Sequence, residues 1–133
     1  MNGLREGHGK VTYPKGGTYE GEWKKDKKEG FGKATYANGG TFEGNWEKDK
    51  REGFGKEVYP DGSVYEGNYQ NNLRHGKGKL TLRNGCIYEG DWKNDTREGF
   101  GKESHPNGTV YVGDFQNDLR HGQGKMNYAN RFV

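Results

Sequence analysis

Catalysis or metal binding by this chain would have to be built from four histidines, one cysteine, two serines and 19 carboxylates, and their spacing argues against both. Ser63 and Ser104 are the serine nucleophiles on offer, and neither lies in the glycine-flanked elbow that presents a serine to its base. Gly-x-Gly-Lys recurs, as in Gly30-Phe31-Gly32-Lys33, and superficially suggests a phosphate loop. However, no Gly-x4-Gly-Lys-Ser/Thr occurs, and no helical pattern follows whose N-terminus would face a phosphate. The carboxylates are serially repeated, whereas acid/base work needs one pair in a distinct environment. Cys86 stands alone, which excludes an intrachain disulfide or a four-cysteine zinc site and suits a reduced thiol inside a cell. His75 and His121 stand 46 residues apart, and His8 and His105 have no ligand-spaced neighbours. We expect no enzymatic activity, no cofactor and no metal.

The same residues are, however, strictly periodic. An aromatic, an acid, a glycine, any residue and a second aromatic appear as Tyr19-Glu20-Gly21-Glu22-Trp23, then as Phe42-Glu43-Gly44-Asn45-Trp46, Tyr65-Glu66-Gly67-Asn68-Tyr69 and Tyr88-Glu89-Gly90-Asp91-Trp92. A fifth copy, Tyr111-Val112-Gly113-Asp114-Phe115, keeps the same step of 23. A fixed step of this size means stacked units, each burying apolar surface only against its neighbours. The expected organisation is one array over residues 3–130. It comprises a half unit 4–18, full units starting at 19, 42, 65 and 88, and a partial last unit 111–130.

Within a unit the apolar positions alternate, so each half reads as a short strand. Tyr19, Gly21 and Trp23 share one face, and Glu20 and Glu22 the other. A charged loop, Lys24 to Glu29, should lead to the second strand, Gly30 to Tyr36, and Asn38-Gly39 should then turn the chain with positive φ angles. Asp61-Gly62, Asn84-Gly85 and Asn107-Gly108 stand at the same phase. Keeping the aromatics on one face suggests a register with Tyr19 opposite Tyr36, Gly21 opposite Ala34 and Trp23 opposite Gly32. The fold expected is all-β: an elongated, single-layer antiparallel meander of stacked β-hairpins, with glycines making room for stacked rings. At about 4.8 Å per strand, His75 and His121 would lie about 19 Å apart and could not share a metal.

Composition alone points elsewhere. With 27% hydrophobic and 31% charged residues and a mean hydropathy of −1.36, the chain borders on disordered compositions. The 14% of aromatic residues in register and 25 glycines in phase decide for an ordered array. The net charge of +3 is mild and evenly spread, so no nucleic-acid partner is expected. No apolar run approaches a membrane span, and Met1 to Gly7 has no signal-peptide apolar region, so a cytoplasmic setting is expected and the sequons at Asn94 and Asn107 are coincidental.

The aromatic-Glu-Gly-x-aromatic start followed by Gly-x-Gly closely resembles the MORN repeat (membrane occupation and recognition nexus), over about residues 3 to 130. That resemblance implies β-hairpins laid side by side into a twisted sheet with aromatics along a groove. It also implies scaffolding, tethering or dimerisation at cytoskeletal or ciliary structures or membranes, and does not imply catalysis. A scaffold would bind a peptide, a helix or a second copy through the groove rings Tyr19, Trp23, Tyr36, Phe42, Trp46, Tyr59, Tyr65, Tyr69, Tyr88, Trp92, Tyr111 and Phe115. Strand addition at the open edges, Leu4 to Tyr13 and Lys125 to Tyr128, would serve the same end and allow a homodimer.

The alternative is an acidic-phospholipid (phosphoinositide) module, the targeting part of a larger enzyme such as a phosphoinositide kinase. It would use the lysine after each Gly-x-Gly: Lys10, Lys33, Lys56, Lys79, Lys102 and Lys125. Lys33 should lie between Glu22 and Asn45 with Glu20 and Glu43 diagonal, so neighbouring glutamates weaken this reading, and salt separates the two. The Arg-Glu or Arg-His dipeptide before each Gly-x-Gly reads as a solvated hairpin tip.

Departures from the pattern are Val112 for the acid, Leu82 and His105 for the second-strand tyrosine, and Arg131-Phe132-Val133 for the expected turn glycine. A second period of 46 links Leu73-Arg74-His75-Gly76 to Leu119-Arg120-His121-Gly122, and Pro14 to Pro60 and Pro106. It fits either a two-unit duplication or an alternating surface of Trp46/Trp92 and Tyr69/Phe115 units.

Overall fold

The structure, a computed structural model, describes residues 5–127. Leu4, Tyr128 and the Arg131-Phe132-Val133 end therefore lie outside the described residues. Among the described residues eleven strands form one antiparallel sheet in chain order. They are β1 (Gly7–Thr12), β2 (Thr18–Lys24), β3 (Lys27–Thr35), β4 (Thr41–Glu47), β5 (Lys50–Val58), β6 (Val64–Gln70), β7 (Leu73–Thr81), β8 (Ile87–Lys93), β9 (Thr96–Ser104), β10 (Val110–Gln116) and β11 (Leu119–Asn127). The expected single-layer meander of hairpins is what forms, because the period-2 pattern buries one face of β2, β4 and β6 and exposes the other, and β8 and β10 keep their rings on the same side.

The turns correct two expectations. No six-residue charged loop separates β2 from β3: Lys25 and Asp26 alone connect them, with φ of 49° and 71°. Positive φ at both central residues is the signature of a type I′ turn, whose twist matches the flanking strands. Lys48-Asp49, Asn71-Asn72, Asn94-Asp95 and Asn117-Asp118 repeat it. At the other end, Gly39 takes positive φ (96°) and Asn38 does not. Gly39 N–H donates to Tyr36 C=O and Tyr36 N–H to Gly40 C=O, a three-residue loop closing in a left-handed glycine. Asn38 acts through its side chain, Oδ1 accepting from Gly40 N–H at 3.0 Å, as Asp61, Asn84 and Asn107 do from Ser63, Cys86 and Thr109.

The register is offset by two from the one expected. Tyr19 faces Ala34, Glu20 faces Lys33 and Gly21 faces Gly32, and beyond a bulge Trp23 faces Lys28. A shift of two leaves every side chain on its face, so the face criterion could not detect it. The turns set the register instead, and the bulge takes up the surplus at Gly30, where φ is 88°. Tyr36 consequently lies past the end of β3. Lys33 stands directly between Glu20 and Glu43, not between Glu22 and Asn45. The resulting row runs Lys10, Glu20, Lys33, Glu43, Lys56, Glu66, Lys79, Glu89, Lys102, Val112, Lys125.

On the opposite face, among the described residues, ten rings form one seam. In order they are Trp23, Tyr19, Trp46, Phe42, Tyr69, Tyr65, Trp92, Tyr88, Phe115 and Tyr111, each meeting the next edge to face at 4.9 to 5.4 Å. All ten are 0–7% exposed, and each such pair contributes about 0.5–1.5 kcal/mol beyond burial. The seam requires a glycine under each strand-opening ring. A Cβ at Gly32 would coincide with the phenol of Tyr19.

From Trp46 onward the 46-residue period has a packing basis, whereas Trp23, 46 residues before Tyr69, packs as Trp46 does, donating Nε1–H to the Gly9 carbonyl at 3.1 Å. Trp46 and Trp92 donate Nε1–H to the Gly32 and Gly78 carbonyls at 3.2 and 3.1 Å, beside the apolar Ala34 and Leu80. Where the ring is Tyr69 the equivalent place holds Glu57, which accepts from Tyr69 Oη at 2.8 Å and pairs with Arg51 at 2.9 Å. Beside Phe115 it holds Glu103, paired with Arg97 and Arg120.

Candidate functional site

The ring face is assembled from the repeating cation two residues before each left-handed glycine. The Arg51 guanidinium carbon lies 5.5 and 5.0 Å from the Phe42 and Tyr69 ring centroids, and Arg74 lies 5.8 and 4.5 Å from Tyr65 and Trp92. Lys28 covers Tyr19 and Trp46, Arg97 covers Tyr88 and Phe115, and Arg5 and Arg120 cover Trp23 and Tyr111. This row corrects the solvated-tip reading. Arg51, Arg74 and Arg97 are only 19–22% exposed because their stems lie on the seam. The signal was present in the sequence as a cation at constant phase.

The same segment latches neighbouring units. Arg74 N–H donates to Asp95 Oδ1 at 2.9 Å, and Asp95 N–H returns a bond to the Arg74 carbonyl. The Lys28/Asp49, Arg51/Asn72 and Arg97/Asp118 pairs repeat the exchange. The following glutamate accepts from the next turn: Glu52 Oε1 from Asn71 N–H at 2.8 Å, and Glu98 Oε2 from Asn117 N–H at 2.6 Å. The two positive-φ residues of each turn are thereby held from the adjacent unit.

A groove of about 680 Å³ opens on this face over the first units, walled by Tyr13, Tyr36, Lys28, Arg51, Glu57 and Asp49. Burial pushes the Tyr19 phenol up to about 12, helped by the Glu22 charge, and burial beside Glu57 does the same to Tyr59. Burial would raise Glu103, but the Arg120 and Arg97 guanidiniums outweigh it and hold the carboxyl below its ordinary value.

The twelve ring positions divide. Tyr19, Trp23, Phe42, Trp46, Tyr65, Tyr69, Tyr88, Trp92, Tyr111 and Phe115 are buried in the seam, while Tyr36 and Tyr59 are half-buried at the turns, Tyr36 lining the groove and Tyr59 a separate pocket with Arg74, Leu80 and Leu82. The six lysines, Lys10, Lys33, Lys56, Lys79, Lys102 and Lys125, are all exposed on the opposite face, so the two candidate surfaces are the two sides of one sheet. The lysines share their side with Phe31, Phe54 and Phe100, 56–58% exposed, which sequence reasoning had not singled out. His8 stands 3.3 Å from Glu22 and 3.6 Å from Glu20. Among the described residues no group of three or more His, Cys, Asp or Glu is placed to hold a metal ion.

A single open sheet of repeated hairpins, with a covered aromatic seam on one side and a charged ladder on the other, defines the class: a one-layer β-repeat protein. The MORN repeat pattern matches residues 1–18, 19–41, 42–64, 65–87, 88–110 and 111–131, and the chain belongs to the MORN-repeat family. No curated protein matches the chain as a relative. Among solved structures, the TCP domain of Drosophila melanogaster SAS-4 (dCPAP), in complex with a proline-rich motif of Ana2 (dSTIL), is similar at 14% identity and a TM-score of 0.35. The match covers 91% of this chain and 83% of that one, and likeness at this level carries no argument about partners.

Proposed function

We propose that the chain is a non-enzymatic scaffold that binds a protein partner, either a peptide, a helix or a second copy, on its ring face and at its outer strands. The observation that carries this is the groove walled by Tyr13, Tyr36, Lys28 and Arg51, where a rigid seam presents aromatic edges, cations and carboxylates in a fixed array. Ten buried rings make the floor stiff rather than sticky, so the partner contact set is the half-buried Tyr36 and Tyr59 with the cation row, not the seam itself. β1 and β11 each pair with one strand among the described residues, which leaves backbone groups available for strand addition. A cytoplasmic setting at a cytoskeletal or ciliary assembly accompanies this reading by family analogy.

The opposite side supports a second reading. Three exposed phenylalanines stand beside a lysine row, a combination suited to an anionic phospholipid surface, although every lysine of the row but Lys125, which faces Val112, has a glutamate as a ladder neighbour. Light scattering coupled to size exclusion, at low and high salt with and without anionic liposomes, separates the readings. The scaffold reading expects no liposome association and any self-association to persist at high salt. Salt-sensitive co-elution with liposomes would replace it with the lipid reading.

A further inference from the structure

Three departures from the repeat fall together in space. Leu82 and His105 occupy the position of Tyr13, Tyr36 and Tyr59, and Cys86 occupies that of Gly17, Gly40, Ser63 and Thr109. The turn between β7 and β8 and the turn between β9 and β10 bring Cys86 Sγ to 3.2 Å from His105 Nδ1. On the far side of the imidazole, Nε2 lies 3.8 Å from Glu103 Oε1 and 3.5 Å from an Arg120 nitrogen, and Arg120 also binds Glu103 at 2.9 Å. Cys86 and His105 are both partly exposed. The sulfur borders a cavity of about 300 Å³ with an apolar wall of Leu80, Leu82, Ile87 and Tyr88. Arg74 and Arg97 line it too, but Glu103 and Asp118 match their charge, so nothing there favours a charged reagent.

We infer that Cys86 and His105 form a nucleophilic thiol site that takes a neutral α,β-unsaturated carbonyl compound with an apolar tail. A thiol with an adjacent base, itself oriented by a third group, is the arrangement that activates cysteine as a nucleophile. Sγ bonds to the β-carbon of the alkene, and the π pair shifts through the α-carbon toward the carbonyl oxygen. In the tautomer whose Nε2–H faces Glu103, with Arg120 bound to that carboxylate rather than to the imidazole, the S–H proton passes to His105 Nδ1 and from there to the α-carbon. The product is a saturated thioether, with no leaving group and no external oxidant. The tail lies along Leu80, Leu82 and Ile87, and the adduct occupies the ring face, where it alters the surface offered to a partner. The reaction is a stoichiometric modification, independent of the scaffold reading.

The full chain is treated at neutral pH with (E)-2-nonenal or acrolein, and addition at Cys86 is timed by peptide mass spectrometry. Two variants are compared: His105→Gln, and His105→Tyr, which restores the residue that other units carry at this phase. Wild type should add 2-nonenal at least about a hundredfold faster than either variant, the low end of what a positioned base supplies. Its rate ratio for 2-nonenal over acrolein should also exceed that of N-acetylcysteine. Equal rates in wild type and a variant that melts like wild type, or a reagent ratio no different from that of N-acetylcysteine, would overturn the site.

Discussion

At the scale of single residues, glycine is used for two separable reasons, and substitution distinguishes them. At Gly55 a Cβ would run into the buried Phe42 ring, so Gly55→Ala must displace the seam and should cost about 1–3 kcal/mol, as overpacking does. At Gly39 a Cβ meets nothing within 4 Å, and only φ of 96° resists it, so Gly39→Ala should cost about 1 kcal/mol. Urea midpoints at constant slope measure both, and a costlier Gly39→Ala would show that backbone strain rather than ring space dominates. Glu103 gives a pH-dependent counterpart. Its folded value lies below the unfolded carboxyl value because the guanidiniums of Arg120 and Arg97 outweigh its burial. Its contribution is therefore complete above the unfolded value and is lost as pH falls through the folded one. Wild type should lose more stability than Glu103→Gln when denaturant midpoints are followed from neutral pH down into the acid range below the ordinary carboxyl value. Parallel curves would mean that the Arg97 and Arg120 contacts do not persist in solution.

At the scale of the element, the hairpin turn is where sequence reasoning fell short and where the next expectation belongs. The period-2 alternation made the strands legible, and the constant phase of Tyr19, Gly21 and Trp23 made the ring face legible, because each depends only on parity along a strand. Register was not legible: it depends on whether Lys25-Asp26 or a longer loop closes the hairpin, and Lys-Asp is a poor advertisement for two positive φ angles. The latch supplies what local propensity lacks. Lys48 stands at φ 48° with its N–H held by Glu29 Oε1 at 3.2 Å, and Asp49 at φ 71° returns its carboxylate to Lys28 N–H at 2.8 Å. Lys48→Gly keeps the backbone bond and removes the left-handed penalty, so it should stabilise by up to about 1 kcal/mol. Asp49→Ala loses the acceptor and should cost about 1–2 kcal/mol. Thermal melts of the two variants should move in opposite directions, and a loss of stability in Lys48→Gly would mean that its side chain, not its backbone, carries the turn. The cation row was illegible for a related reason. A charged residue at a strand end reads as solvated unless the seam beneath it is already known to be there.

At the scale of the whole molecule, the sheet is held by interfaces between neighbours, and the 46-residue period shows that those interfaces come in two matched kinds. Edge-to-face ring contacts alternate within a unit, as in Tyr19 with Trp23, and across units, as in Tyr19 with Trp46, so no unit completes its own core. In one kind of interface the large indole of Trp46 or Trp92 reaches a glycine carbonyl and an apolar neighbour fills the rest. In the other, the shorter Tyr69 leaves space that Glu57 and Arg51 occupy as a hydrogen-bonded pair. Exchanging one half of an interface should therefore be costly, and exchanging both halves tolerable. Glu57→Leu alone strands the Tyr69 hydroxyl and leaves the Arg51 guanidinium only its Asn72 partners, and Tyr69→Trp alone drives an indole against the Glu57 carboxylate. Together they recreate the Leu80 and Trp92 arrangement, with the Gly55 carbonyl in reach of the new indole N–H as Gly78 is of Trp92. A double-mutant cycle on urea unfolding should give a favourable coupling of about 1 kcal/mol or more between the two changes. A coupling near zero would mean that the period is a relic of a two-unit duplication carried by residues that do not depend on one another, and the alternation of the surface would then need no packing explanation.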